Sequence, residues 1–153
     1  MKSKVLLREK DFDLEELKNT VVKEDASAVM TFSDVVKKER EGVDVQNLEV
    51  RIYEGMTRNE MQRVQEETIK EFDISGIVLV QRIGLLEAGE NVMGIVVSAS
   101  EAEEAIEACV SCLERFREYV PIWKKETTID GKQHWVEEAD ELHSLYNRMV
   151  KWI

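Results

Sequence analysis

The residues best suited to chemistry are two adjacent lysines, Lys124 and Lys125, in the segment Pro121-Ile122-Trp123-Lys124-Lys125-Glu126. Neighbouring residues of a strand point to opposite faces, so one of the two ammonium groups should face inward. A lysine that is shielded by an indole and close to other cations loses its proton more readily, and the neutral amine can act as a nucleophile or a base. The alternative is that both lysines lie on the surface and cover Trp123 with their stems.

Other cations gather in the segment that holds Lys37, Lys38 and Arg40, and again in the run from Arg115 through Lys125. The whole chain nevertheless has a formal charge of −11, which disfavours nucleic acid and anionic membranes as partners. Basic islands on an acidic chain suit a small anionic ligand or the carboxy terminus of a partner protein. A solvated charged surface would have the same composition, and this alternative stays open.

Cysteine and histidine give little support to metal or redox chemistry. Cys109 and Cys112 have the C-x-x-C spacing, but a zinc site needs about four ligands and no second pair accompanies them. Both fall on the apolar stripe of a predicted helix, which indicates buried core thiols. His134 and His143 have no neighbouring motif and are predicted to be structural, so the sequence predicts no metal site.

The elements that position these residues follow from the spacing of apolar residues. Helices are predicted from Asp13 to about Lys23, Thr57 to about Phe72, Ser100 to Val120, and 138–153. Strands are predicted at 28–36, 47–53, 74–83 and 92–98, followed by a hairpin of 122–128 and 133–136 around Asp130-Gly131. This order is typical of an α+β fold with helices packed on one side of a mainly antiparallel sheet, the other side being available to a partner.

Local signals refine the ends of these elements. Asp13 is predicted to cap the first helix, and the pairs Thr57 with Glu60 and Ser100 with Glu103 have the spacing of capping boxes. The polar segment 37–44 contains glycine and predicts a mobile loop of the kind that closes over ligands.

The length of 153 residues, 43% of them hydrophobic, and a single proline favour one domain, 1–153, with a real core. No stretch approaches the roughly 18 uncharged apolar residues of a membrane span. The start, MKSKVLLREKDFD, becomes charged before a signal peptide could develop. A cytoplasmic protein without membrane association is therefore expected.

Several fragments together resemble one family. The segment 120–126, followed by Asp130-Gly131 and Trp135-Val136, resembles the signature of the large, catalytic subunit of molybdopterin synthase, the MoaE family. Two further fragments resemble the same family. The family's His-Arg-x-Gly segment and the turn after it are similar to Gln81-Arg82-Ile83-Gly84-Leu85 with Gly89-Glu90 and Val92. The family's segment before the second helix is similar to the one that contains Leu48, Tyr53, Gly55 and Met56. The resemblance implies a hammerhead-like α/β core with a C-terminal hairpin and helix.

The resemblance also implies an activity. Family members transfer sulfur from the thiocarboxylated C-terminal glycine of a small ubiquitin-like subunit to cyclic pyranopterin monophosphate, which yields the dithiolene of molybdopterin. Two large subunits form a homodimer, and each binds one small subunit whose Gly-Gly tail enters a cationic pocket. The substrate is a pterin, the sulfur comes from the partner, and no resident cofactor is implied.

Residue by residue, Lys124 matches one of the two family pocket lysines, and Arg117 stands at the position of the other. The resemblance therefore assigns catalysis to Lys124, and Arg117 is predicted to act with it. In this modified pocket we predict that substrate binding falls to other basic residues: Lys37, Lys38, Arg40, Arg82 and Lys125. Lys124 would attack, or move protons around, the thiocarboxylate and the half-sulfurated intermediate.

This chain also departs from the family pattern. Arg117 keeps the charge of a lysine but does not readily become a neutral nucleophile. Glu101 and Ala102 replace the family's His-Arg pair, Lys37 replaces an arginine, and Gln81 replaces a histidine. Two alternatives to an active sulfurtransferase stay open: a noncatalytic relative that binds the small subunit or a pterin without turnover, and an unrelated small-molecule binding module.

Overall fold

The structure is a computed structural model that describes residues 1–22 and 26–136. Its helices are α1 (Leu14–Val21), α2 (Met56–Glu71) and α3 (Ala102–Tyr119). Its strands are β1 (Lys2–Arg8), β2 (Ala28–Val35), β3 (Glu39–Arg40), β4 (Val43–Ile52), β5 (Gly76–Arg82), β6 (Gly84–Glu87), β7 (Asn91–Ala99), β8 (Ile122–Thr128) and β9 (Gln133–Trp135). The predicted helix 138–153, with His143, lies outside the described residues.

The first sheet has four strands in the order β1-β5-β7-β2, and only the β1–β5 pair is parallel. Its two central strands explain the continuous apolar runs in the sequence, because every residue of β5 is buried and β7 is buried from its second residue onward. A strand covered on both faces gains from apolar residues at every position rather than at alternate ones.

Helices cover both faces of this sheet. Ile77 and Leu79 of β5 join the main core with α2 and α3, whereas Val78 and Val80 pack in a smaller core with α1. The two long helices, α2 and α3, therefore pack on one side of the sheet, as predicted, whereas α1 covers part of the opposite face. Gly76 allows α1 to approach closely, since a Cβ atom there would lie 2.4 Å from the carbonyl oxygen of Val21.

The second sheet has the order β3-β4-β8-β9, and β6 also pairs with β4, along the edge opposite β8. Leu48 and Val50 of β4 are buried in the main core. The opposite face, which we call the outer face, carries the exposed side chains of Leu85 and Trp135. The antiparallel α+β class is confirmed, and two sheets share one core.

Two strands and a hairpin were missed in the sequence. β1 is charged and has little apolar alternation, and β6 is only four residues long. The predicted loop 37–44 is largely a hairpin of β3 and the start of β4, turning at Glu41 and Gly42 with φ of 50° and 82°. Such short elements form because neighbouring strands supply their hydrogen bonds, which local sequence does not report.

Only one of the three predicted helix caps is correct. The Asp13 carboxylate accepts from the backbone N–H of Glu15, as predicted. Thr57 instead lies inside α2, where its hydroxyl accepts from Tyr53 N–H and donates to the carbonyl oxygen of Pro121. The second capping box is also wrong, because α3 begins after Glu101, which makes no side-chain capping bond. The Thr57 hydroxyl therefore makes a tertiary hydrogen bond to Pro121 instead of capping the helix.

Within residues 1–22 and 26–136, none of the helices combines the length and apolar character needed to cross a membrane.

Candidate active site

A pocket opens where the C-terminal half of α3 passes over β2, β7 and β8. Phe32, Met93, Leu113 and Phe116 make apolar walls, and three charged side chains line it with them: Asp34, Arg117 and Lys124. These residues come from four separate elements, so the pocket exists only in the folded chain. Apolar walls exclude water and strengthen the electrostatic interactions of the charged groups.

Lys124 faces inward from β8, as the alternation of the strand requires. Its side chain is only 10% exposed, and its Nζ lies 3.7 Å from Oδ2 of Asp34 on β2. Lys125 points to the outer face, where its Nζ lies 5.4 Å from the centre of the Trp123 ring. One lysine of the pair is therefore inward, as predicted, but the indole shields Lys125 and not Lys124.

Arg117 reaches the pocket from the last turn of α3. Arg117 and Lys124 therefore bring two basic side chains to one small, mostly apolar cleft. Asp34 supplies one negative charge, so these three groups together carry an excess positive charge. That arrangement favours an anion, and charge-assisted hydrogen bonds to cations are the strong ones.

Arg40, which is predicted to bind the substrate, instead forms an ion pair within the protein. Its Nε donates to Oε1 of Glu126, whose side chain is only 4% exposed. Glu126 follows Lys124 by two residues and shares its face of β8. The structure therefore pairs Arg40 with a buried carboxylate and does not place it in the pocket lining.

Arg82 also lies away from the pocket. Its buried guanidinium donates to the backbone oxygens of Glu9 and Asn91 and to Oε1 of Glu90, which ties the end of β1 to the start of β7. It shares a strand face with Val80, on the α1 side of the first sheet, whereas the pocket lies on the α3 side. Gln81 is buried too, and its amide donates to the carbonyl oxygens of Arg82 and Val92.

Lys37 and Lys38 are exposed and follow the end of β2. The backbone oxygen of Lys38 accepts from Val45 N–H, which anchors the base of the β3–β4 hairpin. Neither side chain lines the pocket. Both nevertheless follow Asp34 closely in sequence, so their charges lie on the segment that leaves the site.

The two cysteines behave as core residues, as predicted. Burial raises the pKa of Cys109 to about 11, and burial, together with the neighbouring Cys109, raises the pKa of Cys112 to about 12. Both thiols are therefore protonated at neutral pH and are poor nucleophiles. In the part of the chain that the structure describes, no group of three or more His, Cys, Asp and Glu residues could hold a metal ion.

Asp34 is a charged pocket residue that no sequence motif identifies. The inward residues of β2 alternate as Ala28, Met30, Phe32 and Asp34, so the last inward position of an otherwise apolar series is a carboxylate. An acid on the core-facing side of a strand is an available signal for a functional or paired charge. Its partner could not be found from sequence, because Lys124 is on a strand of the other sheet.

Comparisons with known proteins agree in pointing to one family. A family profile described as MoaE protein matches residues 7–119. The chain is 37% identical over 138 residues to the molybdopterin synthase catalytic subunit of Pyrococcus abyssi, covering 89% of this chain and 93% of that protein.

Solved structures share the fold. Molybdopterin synthase from Staphylococcus aureus superposes with a TM-score of 0.77 at 28% identity, over 85% of this chain and 94% of that one. A complex of subunits 1 and 2 of the molybdopterin-converting factor from Helicobacter pylori matches with a TM-score of 0.69 at 18% identity, over 88% of this chain and 91% of that one.

Proposed function

This chain belongs to the MoaE family, and on that basis we propose that it is the catalytic subunit of a molybdopterin synthase. In this proposal it transfers sulfur from the thiocarboxylated Gly-Gly end of a small ubiquitin-like subunit to cyclic pyranopterin monophosphate. The product is the dithiolene of molybdopterin. In this proposal the reaction takes place in the cytoplasm and needs no resident cofactor.

The observation that carries this proposal is the inward-facing Lys124 in an apolar pocket that also holds Arg117. Both the thiocarboxylate and the substrate phosphate are anions, and a partly dry cationic pocket attracts anions. A Gly-Gly tail has no side chains, so it needs less room between Phe32 and Phe116 than any other dipeptide would. Sulfur at the end of such a tail would then meet the Lys124 ammonium.

The two cations suit different tasks. Lys124 can hold the sulfur-bearing end and exchange a proton with it, because a lysine side chain can be neutral as well as charged. Arg117 stays charged and presents a planar fork of donors, which matches a carboxylate or phosphate. We therefore assign proton transfer to Lys124 and anion binding to Arg117. Lys37 and Lys38, at the exit from β2, would attract the phosphate from farther away.

We assign a small ubiquitin-like protein as the partner. The Helicobacter pylori structure with this fold is itself a complex of two subunits, which agrees with this assignment. The pocket is lined by residues of α3, β2, β7 and the inward face of β8, and not by the outer face of the second sheet. The partner's tail would therefore leave the outer face available to a second copy of this chain.

We further infer a homodimer that buries the outer face. There Trp123 and Trp135 meet edge to face with ring centres 4.5 Å apart, and the Arg51 guanidinium carbon lies 5.0 Å from the Trp123 ring centre. Trp135 is 58% exposed and Leu85 66% exposed. The same face carries Glu49, so it offers apolar surface with charges of both signs, which a self-complementary two-fold interface needs.

The variant Trp135→Glu is expected to be monomeric, because a two-fold axis places two added carboxylates in one apolar interface. Sedimentation velocity of the wild type and the variant measures this. Met56→Glu adds the same charge at an exposed position on α2 and should leave the dimer intact. A dimer that survives Trp135→Glu unchanged would place the interface elsewhere.

Reconstitution tests the function itself. Purified protein, thiocarboxylated partner and cyclic pyranopterin monophosphate are expected to give dithiolene, with two thiocarboxylates consumed for each product because a dithiolene contains two sulfur atoms. Mass spectrometry of the pterin and of the partner's C-terminus follows both. Complex formation without product would instead support the noncatalytic relative, and failure to bind the partner would contradict both readings.

A further inference from the structure

We propose that Asp34 is a positioning residue that holds the Lys124 ammonium in place and that the partner's anionic tail must compete with it for this cation. This inference rests on the proposed function. The Asp34 carboxylate, which is part of the site, would therefore lower the affinity of the pocket for the partner's tail.

The geometry supports a competitor rather than a rigid structural bond. Oδ2 of Asp34 lies 3.7 Å from Nζ of Lys124, which is an ion-pair distance but longer than a normal hydrogen bond. Asp34 is 32% exposed and Lys124 only 10% exposed. The carboxylate is therefore the more solvent-accessible member of the pair, so an anion that approaches Lys124 also meets the negative charge of Asp34.

The other charged groups near the pair determine how strongly Asp34 affects an incoming anion. Arg117 faces the pocket from α3, and Lys124 faces it from β8. Farther along the same face of β8, Glu126 is paired with Arg40. Of the residues that line the pocket in the described part of the chain, Asp34 is the only acid, so it is the only lining group that repels an incoming carboxylate or thiocarboxylate.

Two effects of opposite sign follow from one side chain. Asp34 repels the tail, so its removal should tighten tail binding. It also keeps the long, flexible Lys124 side chain at one position, and loss of that constraint should slow the chemical step, because small errors in the placement of a catalytic group are costly. A residue with a merely structural role would weaken binding and turnover together.

The variant Asp34→Asn separates these effects, since asparagine has the same shape without the charge. Calorimetry with the partner ending in an ordinary Gly-Gly carboxylate is expected to show binding about tenfold tighter than wild type, a change of about 1.4 kcal/mol. Single-turnover sulfur transfer with saturating thiocarboxylated partner is expected to be about tenfold slower.

Glu16→Gln is the matched control. It removes one exposed negative charge from α1, on the opposite face of the first sheet, so it changes the net charge without touching the pocket. It should bind and react as the wild type does. A partner with an amidated C-terminus is a second control, because a neutral tail should bind Asp34→Asn and wild type alike.

The outcomes distinguish the two proposals. If the wild type does not bind the partner, the proposed function fails and this inference falls with it. If the wild type binds but Asp34→Asn matches Glu16→Gln in affinity and rate, or if it binds more weakly and reacts more slowly, the role of Asp34 is refuted while the proposed function stands. Tighter binding with slower transfer supports the competition.

Discussion

Replacement of Lys124 by alanine is expected to reduce dithiolene formation by at least about 100-fold, the lower end of the range for removal of a proton-transferring group. The expectation follows from its inward orientation and 10% exposure, which make it the one lysine among the pocket-lining residues of the described chain. Single-turnover formation of the product, with saturating partner and pterin, measures the loss.

Two further variants, one at the same position and one at the neighbouring lysine, test the role of Lys124. Lys124→Arg keeps the cation but cannot readily become neutral, so it should bind the tail and remain slow. Lys125→Ala removes the neighbouring lysine, which stacks on Trp123 at the outer face, and should retain activity within about threefold of wild type. Full activity of Lys124→Ala, or loss of activity in Lys125→Ala without a change in assembly, would contradict this assignment.

Replacement of Arg40 by methionine is expected to lower the free energy of unfolding by about 2–3 kcal/mol. The guanidinium is the partner of Glu126, whose carboxylate is almost fully buried on β8, and the variant would leave that charge without its cation. Breaking a fully buried pair costs about 3–5 kcal/mol, and the value here is smaller because Arg40 itself is 30% exposed. Denaturant unfolding at one fixed protein concentration measures the change.

The double variant Arg40→Met with Glu126→Gln should recover part of this loss, because it removes the uncompensated charge as well. Lys18→Met is the control: its pair with Glu15 is on the exposed surface of α1, and its loss should cost less than about 0.5 kcal/mol. If Arg40→Met were as stable as Lys18→Met but bound the pterin substrate poorly, the sequence-based role of Arg40 in substrate binding would be correct instead.

The long, strongly patterned elements could be predicted from the sequence. The apolar stripe of α3 with Cys109 and Cys112, the buried strand β5 and the hairpin around Asp130-Gly131 were all expected, and the structure confirms them. Gly131 has φ of 84°, as a turn of this kind requires. In each case the signal lies within a few neighbouring residues, because helix and strand periodicities are local properties.

The short and charged elements could not be predicted in this way. β1 forms beside β5 although its own residues show little alternation, and its parallel pairing is stabilised by a strand that is far away in the sequence. Thr57 has the local spacing of a cap, but its hydroxyl donates to Pro121 on a distant segment. Tertiary contacts of this kind override local preference, which is worth only about 1 kcal/mol.

Local patterns in the amino-acid sequence are enough to predict the α+β class, the family and an inward position for one of the two adjacent lysines. They do not show that this lysine is Lys124, that Asp34 lies beside it or that Glu126 binds Arg40, because those contacts depend on the folded chain. The difference is the distance along the sequence over which each signal acts. Alternation along a strand depends on adjacent residues, whereas an ion pair between β2 and β8 depends on how two sheets pack around one core, and no local pattern specifies that packing.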